Sequence, residues 1–226
     1  MYEKSKYSNF LTILLIVIII AVIGLIVFFS YRVYTRYADE QDASKFVSNF
    51  GQQIKPTDKD DNDNTNPGEI DDDPLNNVET IETEGSSGKK QIYKGFEVVG
   101  TIEIPKIKLA YPIIAEPSKK AIEKSVAILY GPGPNQPGNT VIIGHNYRNG
   151  QFFSNNKKLA IGDKIYITDL TGKKLTYTIY DKFETEANDT DFMVRNTNGA
   201  REISLQTCTD DGTYRLIIVA KCDLDK

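Results

Sequence analysis

The chain has 226 residues, enough for one domain with appendages, and its charge is unevenly spread: residues 55–88 carry 2 basic and 11 acidic side chains, net −9, whereas residues 89–226 carry 20 basic and 16 acidic, net +4. The overall net charge of −4 therefore belongs to one short segment and does not describe the rest. Two cysteines exclude a disulfide framework and a cysteine-rich zinc site, and with a single histidine any chemistry that needs an imidazole must use His145.

Residues 1–9 form a short tail before a 20-residue apolar run, Phe10 to Phe29, interrupted only by Thr12 and Gly24. At about 1.5 Å rise per residue such a run matches the roughly 30 Å hydrocarbon core of a bilayer, so a transmembrane helix is expected over residues 10–30. The apolar core of a cleaved signal peptide is shorter, about 7–15 residues, and ends at small residues. Here Phe28, Phe29, Tyr31 and Tyr34 follow instead, bulky side chains suited to an interfacial belt. The segment reads as an uncleaved, single-pass anchor. Lys4 and Lys6 on one side and Arg32 and Arg36 on the other nearly balance, so charge leaves the orientation open.

Residues 31–90 are expected to form a stalk. The spacing of Tyr34, Tyr37, Phe46 and Phe50 allows the helix to continue to about Ile54. From Lys55 to Gly88 the chain fills with Asp, Asn, Glu, Gly, Ser and Pro, too few apolar groups to offset the entropy of ordering, and reads as disordered. Asp60, Asn62, Asn64 and Asp71 fall on an EF-hand calcium register, but Thr65 stands where its turn needs Gly, which favours a solvated spacer.

The folded part is expected over residues 91–226. Val98, Gly100, Ile102 and Ile104 alternate with Val99, Thr101 and Glu103, as a strand with two different faces would. Further runs follow at Ile107 to Ile114, Val126 to Tyr130, Thr140 to Ile143, Lys164 to Thr168, Lys174 to Phe183, Glu202 to Gln206 and Tyr214 to Lys221. Seven or eight strands with turns between them predict an all-β closed barrel or sandwich. Pro117 to Glu123 and Gly150 to Leu159 are the candidate short helices, and Asp169-Leu170-Thr171-Gly172 reads as a hairpin turn.

Within this part, His145 follows the strand Thr140 to Ile143, Cys208 follows the strand Ile203 to Thr207, and Arg215 opens the last strand after the turn Asp210-Asp211-Gly212. A cysteine nucleophile needs an imidazole to exchange protons with entering and leaving groups, and a cation or donor to stabilise the oxyanion. Taken singly, Cys208 reads as a small buried filler, His145 as a satisfied loop residue and Arg215 as a surface ion-pair partner. The three together at strand ends favour catalysis.

Ser204-Leu205-Gln206-Thr207-Cys208, with Arg215 on the next strand, resembles the signature of the sortase family. GPNQPGNTVIIGH, residues 133–145, is similar to that family's approach to its histidine; VVGTIEIPKIKLAYPI resembles its opening strands and LAIGDKIYITDLTGKKLTYTIY its middle hairpin. The resemblance covers about residues 95–222. It implies an eight-stranded β-barrel with one or two short helices, with Cys208 as nucleophile, His145 as general acid and base, and Arg215 on the substrate carbonyl and its oxyanion. It further implies that Thr207 shapes the substrate site. The implied reaction cleaves an LPxTG-like sorting signal between Thr and Gly through a thioacyl enzyme and passes the acyl group to an amine such as a peptidoglycan cross-bridge. The implied partners are secreted proteins with a C-terminal sorting signal, a peptidoglycan precursor or other amine acceptor, and the membrane, with no nucleic acid. The implied location is the cell membrane of a Gram-positive bacterium with the enzyme outside.

Within the family, the short Cys208-to-Arg215 interval is most like class D, and Gly144-His145-Asn146 resembles class B. Asp73-Pro74 is followed by Leu75 rather than an aromatic residue and no apolar helix follows the last strand, which disfavours a class C pilus enzyme. No cofactor is expected. Glu184, Glu186, Asp189 and Asp191 lie where class A members bind calcium, though such carboxylates are more often solvated. The rival readings are another surface cysteine acyltransferase of the L,D-transpeptidase kind, disfavoured because no histidine adjoins Cys208, and a non-catalytic binding barrel. The two cysteines are not expected to pair, since a seven-residue offset puts Arg215 and Cys222 on opposite faces of the last strand.

Overall fold

The computed structural model describes residues 6–53 and 90–225. The calcium register at Asp60, Asn62, Asn64 and Asp71, and the Asp73-Pro74 pair, lie outside the described residues.

Helix α1 (Lys6–Gln53) runs unbroken for 48 residues. Its large apolar side chains from Phe10 to Tyr37 are exposed, and the helix is long and apolar enough to cross a membrane. Its far end behaves differently. Ala43, Phe46 and Phe50 recur at three and four residues and so form one stripe; Ala43 and Phe50 are fully buried and Phe46 packs edge-on against Tyr93 at 5.1 Å. Lys94 adds contacts to Asp39 at 2.7 Å and Asp42 at 3.6 Å.

The end of α1 thus packs on the barrel through Ala43, Phe46 and Phe50, while residues 54–89 of the expected stalk lie outside the described residues.

The sheet comprises β1 (Gln91–Tyr93), β2 (Phe96–Ile104), β3 (Leu109–Ile114), β4 (Val126–Tyr130), β5 (Gly138–Ile143), β6 (Lys164–Asp169), β7 (Lys174–Glu186), β8 (Arg201–Cys208) and β9 (Tyr214–Cys222). The order is β1-β2-β3-β4-β5-β8-β9-β7-β6, and pairing of β2 with β6 closes eight strands into the expected barrel. The three-residue β1 is an added edge on β2. Gly100 marks where β2 turns from β1 to β6: the register with β3 shifts there, and a Cβ would meet the Thr168 carbonyl at 2.6 Å.

Alternate side chains such as Ile102, Ile104, Ile167, Leu205, Ile218 and Ala220 fill the barrel. The outer face is partly covered as well. Helix α2 (Lys119–Ile122), capped by Ser118, lays Ala121 on Ile114 and Ala127, while Phe192 from the β7–β8 connection covers Val141, Ile217 and Val219. Asp169 closes the β6–β7 turn as expected, its carboxylate accepting from the Thr171 and Lys173 amides at 2.9 and 3.2 Å.

Two expected elements differ. Pro105 opens a single 3₁₀ turn and Lys108 takes a left-handed φ of 53°, so the strand expected from Ile107 begins at Leu109. Over Gly150–Leu159 only Asn156–Lys158 is helical, as one 3₁₀ turn, because positive φ at Gly150 and Phe152 breaks any longer helix.

Candidate active site

The sheet order places β5, β8 and β9 side by side, and all three candidate residues lie at one end of these strands. Cys208 is the last residue of β8 and the direct register partner of Arg215 on β9. On the other side, β5 and β8 run parallel with Ile143 opposite Gln206. Two residues further along each strand come His145 and Cys208. Cys208 therefore lies between the segment just past β5 that bears His145 and the strand that bears Arg215, with neighbouring strands about 4.8 Å apart.

Hydrogen bonds on both sides of His145 lock that level. The Gly144 amide donates to the Gln206 carbonyl at 3.1 Å, the Thr207 hydroxyl donates to the Gly144 carbonyl at 2.7 Å, and Asn146 Nδ2 donates to the Cys208 carbonyl at 2.9 Å. Thr207 is thus a buried brace between β8 and the residue before the histidine, with its side chain on the barrel side. Gly144 leaves room for this approach: a Cβ there would meet Phe153 at 2.8 Å and Val126 at 2.9 Å.

His145 is half-buried and its ring stacks on Tyr147, centroids 4.7 Å apart at 25°. Burial lowers its pKa below the ordinary value by penalising the imidazolium, and the Glu123 carboxylate opposes that shift. A histidine of ordinary or lowered pKa is neutral at pH 7, and a neutral imidazole can take a thiol proton.

Cys208 is partly exposed at the rim of an open cleft of about 340 Å³, whose walls include Thr207, Asn146, Lys157, Glu184 and Tyr214. His145 and Arg215 are not among the residues lining that cleft. The Arg215 Nη1 donates to the carbonyls of Gly212 and Tyr214 at 3.3 and 3.1 Å, so the guanidinium is engaged with its own hairpin turn. Cys222 is fully buried inside the barrel, where its partner strand presents Tyr177, and both cysteines are free.

Several residues near the site carried no spacing signal in the sequence. Asn146, which holds the Cys208 carbonyl, also donates to Asp210, and Lys157 pairs with the same carboxylate at 2.5 Å. Arg195 pins the β7–β8 connection over the outer face: it pairs with Glu202 at 2.7 Å and donates to Ser204, Asn139 and the Phe192 carbonyl. The calcium candidates behave otherwise. Asp189 accepts from the Thr185 hydroxyl and the Asp191 amide, and among the described residues no three His, Cys, Asp or Glu side chains are grouped to hold a metal ion.

A family model described as a sortase domain matches residues 102–223. Sortase A of Bacillus anthracis is 28% identical over 125 residues, which cover 54% of this chain and 58% of that protein. The chain thus matches little more than half the length of this curated relative. Among solved structures, a Clostridium perfringens sortase D5 transpeptidase is 32% identical with a TM-score of 0.52, covering 58% of this chain and 82% of that one. Sortase A from Corynebacterium diphtheriae is 27% identical with a TM-score of 0.51, covering 56% and 61% respectively.

Proposed function

We propose, from the premise that this chain belongs to the sortase family, that it is a membrane-anchored cysteine transpeptidase acting on an LPxTG-like sorting signal outside the cell. The observation that carries the reading is the row of His145, Cys208 and Arg215 at one end of three neighbouring strands. Neutral His145 takes the Cys208 proton as sulfur attacks the carbonyl of the signal's threonine. The tetrahedral oxyanion is held by donors that include the Arg215 guanidinium. His145 then returns the proton to the departing amine of glycine, leaving a thioacyl enzyme, and later accepts a proton from the incoming amine of a peptidoglycan precursor or similar acceptor.

The exposed apolar surface of α1 supports the anchor, and docking of its far end on the barrel supports a helix that stays attached. The likeness to a class D structure and the short turn between Cys208 and Arg215 support class D. Incubation of the full chain with an LPxTG-like peptide, followed by intact mass measurement, should reveal the peptide acyl group on wild-type protein and none on Cys208→Ala. Absence of an adduct on folded wild type, with no product released, would leave the binding-barrel reading standing.

A further inference from the structure

Helix α1 does more than carry the barrel, because its docking surface lies next to the loop that bears His145. The helix packs along β3, and β3 supplies Tyr111. Burial pushes the Tyr111 phenol up to about 12, against the Phe152 amide that it accepts from, and Glu40 and Asp39 of α1 add to the rise. A small cavity of about 130 Å³ separates the helix from this loop, with Arg36 and Asp39 on one wall and Tyr111, Tyr147 and Phe152 on the other.

From Tyr111 a ladder of rings leads to the imidazole. Tyr111 and Phe152 lie 5.1 Å apart, Phe152 and Tyr147 5.9 Å, and Tyr147 and His145 4.7 Å. Phe152 is the weak rung. Its φ of 49° lies in the left-handed region that bulky side chains rarely adopt, so its surroundings must hold it there. Those surroundings are its bridge to Asn146, a long 3.4 Å hydrogen bond to the Tyr111 hydroxyl, and the two rings. Because Phe153 donates to the His145 carbonyl at 3.1 Å, any shift of this rung reaches the histidine backbone as well.

We propose that the stretch of α1 from Arg36 to Phe50 is a positioning element for His145, holding the imidazole toward Cys208 through Tyr111, Phe152 and Tyr147. The inference rests on the reading of His145 as the proton carrier. Undocking of the helix frees Tyr111, lets Phe152 leave its left-handed conformation, and turns Tyr147 and His145 away from the thiol. Proton transfer is sensitive to such displacement, and the effect falls on turnover more than on substrate binding.

The test uses the full chain in lipid nanodiscs with an LPxTG-like peptide, and it exploits the single histidine, whose imidazole resonance is unique in the spectrum. Three variants are compared: F46A/F50A, which loosens docking; Tyr111→Phe, which keeps the ring and removes the hydroxyl; and His145→Ala. The first two should lower kcat roughly tenfold or more with KM unchanged, and should shift the His145 resonance and raise its midpoint toward about 6.5. If hydrogen exchange shows residues 40–50 released while the resonance and kcat stay at wild-type values, the positioning role is wrong. Should F46A/F50A not fold, Tyr111→Phe decides alone, with unchanged kcat and resonance overturning the proposal. Turnover that survives in His145→Ala overturns the proton-carrier reading itself, a result separate from either of the others.

Discussion

Cys208 and Arg215 are register partners across the β8–β9 hairpin, yet the guanidinium is turned onto the carbonyls of Gly212 and Tyr214 within that hairpin. Directly opposed residues share a face of the sheet. A guanidinium has five donors, so one nitrogen on the turn leaves others for a substrate oxygen above the thiol. The same bonds fix where those donors point.

Arg215→Ala should reduce kcat/KM by about 10²–10³, the usual effect of losing one oxyanion donor, with little change in melting temperature. Arg215→Lys keeps the charge but not the planar fork and should recover only part of the rate. A value for the alanine variant within about threefold of wild type would mean that Arg215 only closes its turn.

Thr207→Val preserves shape and removes the hydroxyl that donates to the Gly144 carbonyl at 2.7 Å. The buried carbonyl then lacks its partner, at a cost of about 1–3 kcal/mol. Chemical denaturation should register that loss, and kcat should fall with it because His145 follows Gly144 directly. A stable variant of full activity would reduce Thr207 to a packing residue.

Cys222→Ser should weaken the fold and spare the chemistry. The thiol is fully buried in the barrel, so the hydroxyl must find a partner or go without, whereas Cys208→Ala should abolish turnover. Comparable activity losses at the two positions, after correction for folded fraction, would contradict a single nucleophile. Non-reducing gels should show no linkage between them.

Stability should also respond to pH through His145. Its folded pKa is lowered by burial, so below the unfolded value of about 6.5 the unfolded chain binds a proton that the folded chain resists. Stability is therefore flat above that pH on this account and declines as pH falls toward the lowered folded value. His145→Ala should flatten this part of the profile. An unchanged slope between the two proteins would assign the effect to other groups.

Much of the barrel was legible because its strands obey local rules. Val98 to Ile104 alternates, Thr140 to Ile143 sits between turn residues, and Asp169 to Gly172 closes a hairpin through its own side chains. Cys208 and Arg215 could be paired because a short turn between two strands leaves few registers. His145 is harder: its level with Cys208 depends on β5 and β8 lying side by side, although 57 residues separate β5 from β8 in the chain.

Contacts between distant side chains left no such trace. Phe46 and Phe50 announce a helical stripe, but nothing local says that Tyr93 will meet it. Arg195 looked like any loop arginine until folding brought Asn139, Glu202 and Ser204 around it. Phe152 favours a helix by composition of its neighbourhood, and its left-handed backbone comes from Tyr111 and Asn146, far from it in sequence or reached only through a turn.

On the proposed function, the unbroken α1 also governs how a substrate would reach Cys208. From Ser30 to Asp39 the helix climbs only about 14 Å before it touches the barrel. Were Phe10 to Phe29 to lie in a bilayer, as proposed, the barrel that bears Cys208 would be held in a layer close to the lipid rather than on a long tether. Substrates held in the same layer are met by lateral diffusion, at a local concentration that free peptide in solution does not reproduce. A detached barrel assayed with soluble peptide would then understate the rate at which the anchored enzyme works, even with its chemistry intact.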